Sequence, residues 1–275
     1  MLDTGVKRDQ ASRLRQIAAG HFTVAPRPIP RVITITSGKG GVGKSILALN
    51  LSLMLCGLDR RVLLVDADTN LGNLDVLLGI SPEFRLGDVL RGEKGFDDVL
   101  VSPFPGLRLL PGSSGDVGYP LVPAQTPSGF IAGLKSIEGP TDEIIIDTSA
   151  GLSPEVVGCA VNADDVLVVT TPEPTAVMDA YAMIKVLERT RHGIPIHVVM
   201  NAVRVPSEAD DAAVKLSVAT EQFLGRSFVY LGIIPYDEQV VTCVARHRAV
   251  VREFPTSRVS LSVKAIARHF LHQSE

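Results

Sequence analysis

The apolar positions of this chain follow two periods that take turns. From Arg31 onward, short branched runs at Val32 to Thr36, Val62 to Asp66, Leu107 to Leu110, Glu143 to Asp147, Val166 to Thr170, Ile196 to Asn201 and Phe228 to Ile234 read as buried strands. Helical patterns separate them, as in Ile46 to Cys56, where apolar side chains recur at helical spacing. Strands that alternate with helices predict an α/β fold: a mostly parallel central sheet flanked by helices on both faces, with ligands at the carboxyl ends of the strands.

The two ends depart from this rhythm. Asp9 to Ala19, DQASRLRQIAA, reads as a short amphipathic helix with Ala11, Leu14, Ile17 and Ala18 on one side and Arg13 and Gln16 on the other. Pro26, Pro28 and Pro30 then make an extended linker into the first strand. A short helix on such a tether is marginal alone and gains order by docking, on its own domain or on a partner. The pattern thus divides the chain into an N-terminal segment, 1–30, and a main domain, 31–275. At the other end, Val259 to Leu271 aligns Val259, Val263, Ile266 and Phe270 on one helical face, in a region where Arg246, Arg248, Arg252, Arg258, Lys264 and Arg268 outnumber Glu253 and Glu275. Packing of this last helix on the sheet is the favoured expectation. Contact with an anionic membrane surface is the alternative.

Composition narrows the class without changing it. A chain of 275 residues that is 45% hydrophobic, with 24 glycines, suits one large α/β domain with a sizeable core. A net charge of −3 argues against coating nucleic acid by bulk charge, so no direct nucleic-acid partner is expected. Cys56, Cys159 and Cys243 are far apart and form no CxxC, which fits core cysteines of a reducing cytoplasm better than a disulfide framework or a zinc site. Lys7, Arg8, Arg13 and Arg15 interrupt any N-terminal apolar run, and no apolar stretch is long enough to span a bilayer. A soluble cytoplasmic protein, able at most to touch a membrane, is the expectation.

The candidate chemistry sits where the first strand meets the first helix, in RVITITSGKGGVGKS. Gly38, Gly40, Gly41 and Gly43 allow positive φ and close approach, so that successive N–H groups around Val42 can form an anion nest. The helix beginning near Lys44 adds its positive end. In the pattern GxxxxGK[ST], Lys44 lies against the β- and γ-phosphates and the Ser45 hydroxyl ligates Mg²⁺, which predicts ATP with Mg²⁺ as ligands. Lys39 is surplus to that pattern. A second cation beside Lys44 costs repulsion unless further anionic charge offsets it.

On Lys39, Gly40, Gly41, Val42, Gly43, Lys44 and Ser45, the chain resembles the MinD/ParA family of deviant P-loop ATPases, whose hallmark is KGGxGK[ST]. The resemblance implies a slow, switch-type ATPase in which Lys39 reaches across an ATP-dependent homodimer to the partner's phosphates. It also assigns roles elsewhere. Asp66 and Asp68, at the end of the second strand, match the first switch, with Asp68 orienting the attacking water and Asp66 supporting Mg²⁺ and its water shell. Asn73, Leu74 and Asp75 match the NLD segment that follows, while Asn70 and Gly72 depart from the family pattern. Glu143 to Asp147 reads as a Walker B strand in which Asp147 holds Mg²⁺ through water and Gly151 follows in a small-residue turn. Thr171 to Ala176 resembles the TPEPTS segment and is expected to start a helix at Pro174. Asn201, Pro235 and Asp237 match residues that line the adenine base.

The N-terminal segment selects a branch. Asp9, Gln10, Ala11, Leu14 and Arg15 reproduce the DQAxxLR element of flagellar-number regulators of the FlhG/FleN type. That likeness implies docking of Asp9, Gln10, Leu14 and Arg15 on an FlhF-like GTPase of the signal-recognition type, with Gln10 stimulating GTP hydrolysis. It also implies restraint of a FleQ-like AAA+ transcription activator and contact with flagellar basal-body components. A MinD-type division-site ATPase shares the chemistry but lacks the element. An iron–sulfur or nitrogenase-iron-protein-like ATPase needs paired cysteines, and a DNA partition module needs a helix-turn-helix or basic arm; neither signal is present.

Overall fold

The computed structural model describes residues 29–68, 72–113 and 127–272. Among these residues, eight strands form a single sheet: β1 (Arg31–Thr36), β2 (Val62–Ala67), β3 (Val101–Phe104), β4 (Leu107–Leu110), β5 (Glu143–Thr148), β6 (Asp165–Thr170), β7 (Ile196–Val203) and β8 (Val229–Pro235). Their spatial order is β3-β4-β2-β5-β1-β6-β7-β8, parallel throughout except for β3 against β4. Seven strands stand where the apolar runs predict them, within a residue or two. The eighth, β3, is not announced by that pattern: VSPF is short, only partly buried and contains Pro103, which an edge strand tolerates because one side makes no ladder.

The longer helices are α1 (Lys44–Cys56), α2 (Pro127–Ser136), α3 (Pro154–Val161), α4 (Pro174–Thr190), α5 (Pro206–Leu224), α6 (Glu238–Ala245) and α7 (Arg258–His272). Alternate strand residues serve opposite layers. Ile33 and Ile35 of β1 pack with α1 and α7, while Val32 joins Leu63, Val65, Ile144 and Ile146 against Phe130 and Leu134 of α2. Val166, Val168 and Val198 meet α3 and α4 through Val156, Met183, Ile184 and Leu187. Both faces of the central strands are therefore dry. That is why β2, β5 and β6 are buried at every position instead of alternating.

Helix α1 is apolar on nearly all sides because it is sandwiched between the sheet and α7. Val259, Val263, Ile266, Ala267 and Phe270 of α7 are buried in this contact. At its end, Arg31 donates to the Phe270 carbonyl at 2.6 Å and to Asp165 Oδ2 at 2.6 Å, and His197 Nε2 meets Asp165 Oδ1 at 2.9 Å. The apolar face of α7 is thus spent on the core, as the favoured expectation has it. Among the described residues, no helix is long and apolar enough to cross a membrane.

Truncating Phe270, which is fully buried beside the His197 ring at 5.0 Å, removes a large core contact. Urea unfolding of Phe270→Ala should show a loss of about 3–5 kcal/mol, against less than about 0.5 kcal/mol for Leu261→Ala on the exposed side of the same helix.

Candidate functional site

The loop from Gly38 to Ser45 leaves the end of β1 and enters the first turn of α1 at the carboxyl edge of the sheet. Its shape is held by its neighbours. Ser37 Oγ donates to the Lys39 carbonyl at 2.7 Å, and Asn201 Nδ2, from β7, donates to the Val42 carbonyl at 2.7 Å. Gly43 adopts φ 91°, and a Cβ there would stand 2.3 Å from Asn201 Nδ2, so only glycine fits. The first turn of α1 carries no acidic residue, leaving its N–H groups and positive end for an anion.

Register places the carboxylates. β5 lies between β1 and β2, and Asp66 and Asp147 are direct partners across the β2–β5 ladder, with Ile35 on the other side of Asp147. Both are completely buried. Burial raises the Asp66 pKa to about 6, against hydrogen bonds from the N–H groups of Leu74 at 3.1 Å and Asp68 at 3.2 Å. Burial, followed by the Asp66 charge, raises Asp147 to about 8, although Ser45 and Lys44 pull it down. Lys44, only 8% exposed, has its own pKa lowered by burial, with Asp147 and Asp68 opposing. Lys44, Ser45, Asp66, Asp68 and Asp147 therefore share one electrostatic centre.

That centre suits a hydrated divalent cation. Neither Asp147 oxygen closes a well-formed hydrogen bond among the described residues, even though the Ser45 hydroxyl is near enough to lower its pKa. Two buried carboxylates, one unsatisfied, ask for positive charge or water. No group of three His, Cys, Asp or Glu converges to cage a metal among the described residues. This donor set fits Mg²⁺, which keeps much of its water and takes few direct protein ligands. Asp66 is also tightly walled: a Cβ at Gly72 would lie 3.1 Å from its Oδ2, and one at Gly112 would lie 2.7 Å from its Cγ. The Gly72 departure from the family pattern thus has a steric reason.

Lys39 points elsewhere. Its Nζ bonds Glu173 Oε2 at 2.7 Å and Thr175 Oγ1 at 3.1 Å, and its side chain is 38% exposed. The segment Thr171 to Ala176 does start a helix, with Pro174 in the first turn of α4, but it also holds this lysine. Glu173 and Thr175 are functional candidates that sequence reasoning passed over; the acid before Pro174 was the available signal.

Asn201, Pro235 and Asp237 come together with Gly41, Val42, Gly43, Tyr236 and Val240 around a cavity of about 180 Å³ beside the loop. Asp237 also caps α6 by accepting from the Gln239 N–H at 2.8 Å. Asn201 spends one amide hydrogen on Val42, so it shapes the loop as well as the cavity wall. Asp9, Gln10, Leu14 and Arg15 lie outside the described residues.

Residues 33–250 match the CobQ/CobB/MinD/ParA nucleotide binding domain. The antiactivator FleN of Pseudomonas aeruginosa is 40% identical over 238 residues, covering 86% of this chain and 85% of that protein. The flagellum site-determining protein YlxH of Helicobacter pylori is 31% identical over 239 residues, covering 86% and 80%. Among solved structures, the septum site-determining protein MinD of Pyrococcus horikoshii, complexed with Mg-ADP, superposes with a TM-score of 0.72 at 27% identity, covering 88% and 96%.

The raised carboxyl pKa values have a testable sign. From about pH 4 up to about 6 at Asp66 and about 8 at Asp147, the native state keeps protons that the unfolded chain has released, so stability falls as pH rises. In Mg²⁺-free, nucleotide-free buffer the thermal midpoint should decline from pH 5 to 8, and Asp147→Asn should flatten that slope. An identical slope in the variant would contradict the assignment.

Proposed function

As this chain belongs to the CobQ/CobB/MinD/ParA family of nucleotide-binding ATPases, we propose that it is an ATP-switched regulator of flagellar number or placement, like the relatives it resembles. It binds ATP with Mg²⁺ and hydrolyses it. The observation that carries the switch is Lys39, a cation beside the phosphate loop that rests on Glu173 and Thr175 instead of on the centre formed by Lys44, Asp66 and Asp147.

In this reading, the N–H groups from Gly38 to Gly43 and the Lys44 ammonium hold the β- and γ-phosphates, while Asn201, Pro235 and Asp237 line the adenine. The Ser45 hydroxyl and, through water, Asp147 would hold Mg²⁺, with Asp66 supporting its water shell; the ion would supply neutralisation of phosphate charge. Asp68, at the exit of β2, orients the attacking water. Lys39 exchanges Glu173 for the phosphates of a second copy. An exposed ion pair of this type is worth only about 0–1 kcal/mol, so a polyphosphate can outcompete it. Hydrolysis then weakens the dimer and returns Lys39 to its own Glu173.

The output is carried by two surfaces. Asp9, Gln10, Leu14 and Arg15 act on an FlhF-like GTPase, and the ATPase domain restrains a FleQ-like activator. The antiactivator name of the 40% identical relative supports this second arm.

Size-exclusion chromatography tests the switch. Wild type should elute as a dimer with ATP and a monomer with ADP, and Lys39→Ala should stay monomeric with both; dimerisation of Lys39→Ala equal to wild type would defeat the trans-lysine reading. For the output, deletion of residues 1–19 should abolish stimulation of GTP hydrolysis by an FlhF-like GTPase while leaving ATP-dependent dimerisation intact. Undiminished stimulation would point instead to a division-site role.

A further inference from the structure

Arg85 is neither in the phosphate loop nor in a strand-end motif, yet it holds the walls of the metal centre. It precedes the short helix Leu86–Leu90, and its side chain is 24% exposed. One arm of its guanidinium donates to Asp75 Oδ2 at 2.6 Å, and the other donates to the Gly112 carbonyl at 3.1 Å. Both contacts lead to Asp66. Asp75 follows Leu74, whose N–H bonds Asp66 Oδ2, and Gly112 packs so closely on Asp66 that no Cβ fits between them. The Leu86 N–H donates to the Pro111 carbonyl at 2.9 Å, tying the start of the same short helix to the same loop.

Asp75 and Gly112 stand on separate segments, one after β2 and the other after β4. The planar fork of an arginine can satisfy a carboxylate and a carbonyl at once and so fix their separation. Asp75, 4% exposed, would otherwise be a buried carboxylate without its cation. We infer that Arg85 is a positioning residue for the Mg²⁺ centre: by clamping Asp75 to Gly112 it keeps the two walls of Asp66 closed, and with them the direction in which that carboxylate faces the metal's water shell. The inference rests on the assignment of Asp66 to the Mg²⁺ environment. Arg85 acts through these walls and is assigned no contact of its own with nucleotide or metal.

The test uses the full chain and a fluorescent ATP analogue, titrated with Mg²⁺ and, separately, measured in EDTA. Arg85→Lys keeps a cation for Asp75 but lacks the fork, so it should retain the fold while the Mg²⁺ concentration at half-maximal tight binding rises about tenfold and affinity in EDTA stays within about twofold. Arg85→Ala should show at least the same shift with a lower thermal midpoint. A wild-type Mg²⁺ midpoint in Arg85→Lys, or an equal loss of affinity in EDTA, overturns the inference. Asp66→Asn separates the two levels: an unmoved Mg²⁺ midpoint there overturns the metal assignment, whereas a shift in Asp66→Asn with none in Arg85→Lys overturns the role of Arg85 alone.

Discussion

The molecule is organised around two carboxylates that it buries side by side. Asp66 and Asp147 face each other across neighbouring parallel strands, fully removed from solvent. An ionised group taken from water into such a site costs on the order of several kcal/mol. The nearby ammonium, Lys44, is itself buried at a cost, and its pKa is lowered by that burial. Burial pushes both carboxyls toward their protonated forms, Asp66 to about 6 and Asp147 to about 8. In the proposed function, Mg²⁺ would supply the positive charge that these strand ends lack.

The surroundings convert that demand into a shaped site. The phosphate loop is pinned from β7 by Asn201, which also walls the cavity assigned to the base, so the loop and the base cavity share a side chain. Asp66 is pinned from below by its strand and from above by Gly72, Leu74 and Gly112, segments brought together by Arg85. Neither arrangement relies on a long-range conformational pathway. Each is a short chain of contacts that stiffens one functional group.

Lys39 shows the opposite design. It sits in the same glycine loop, but its ion pair with Glu173 is exposed, and exposed pairs are weak and easily exchanged. The strongly buried Lys44 and the lightly held Lys39 are five positions apart in sequence yet differ in how freely they can change partners. In the proposed switch the two have different parts: Lys44 serves its own nucleotide, and Lys39 can leave.

Much of this was legible in the chain. The alternation of strand and helix patterns determined the α/β fold, because a buried parallel sheet requires continuous apolar runs separated by helical crossovers. The loop residues Gly38 to Ser45 determined the ligand, because their chemistry is local and their spacing along one turn is fixed by the backbone. Strand-end carboxylates could likewise be recognised as candidates. What the chain could not express was adjacency. That Asp147 stands opposite Asp66, that Asn201 reaches Val42, that Glu173 holds Lys39 and that Arg85 joins Asp75 to Gly112 depend on sheet order and on loop approach between residues far apart in sequence. The edge strand β3 and the burial of α7 belong to the same class, since a half-exposed VSPF and an amphipathic helix are each compatible with more than one environment. Local chemistry travels with the sequence; partners, burial and the resulting pKa values arise only when the sheet brings its strand ends together.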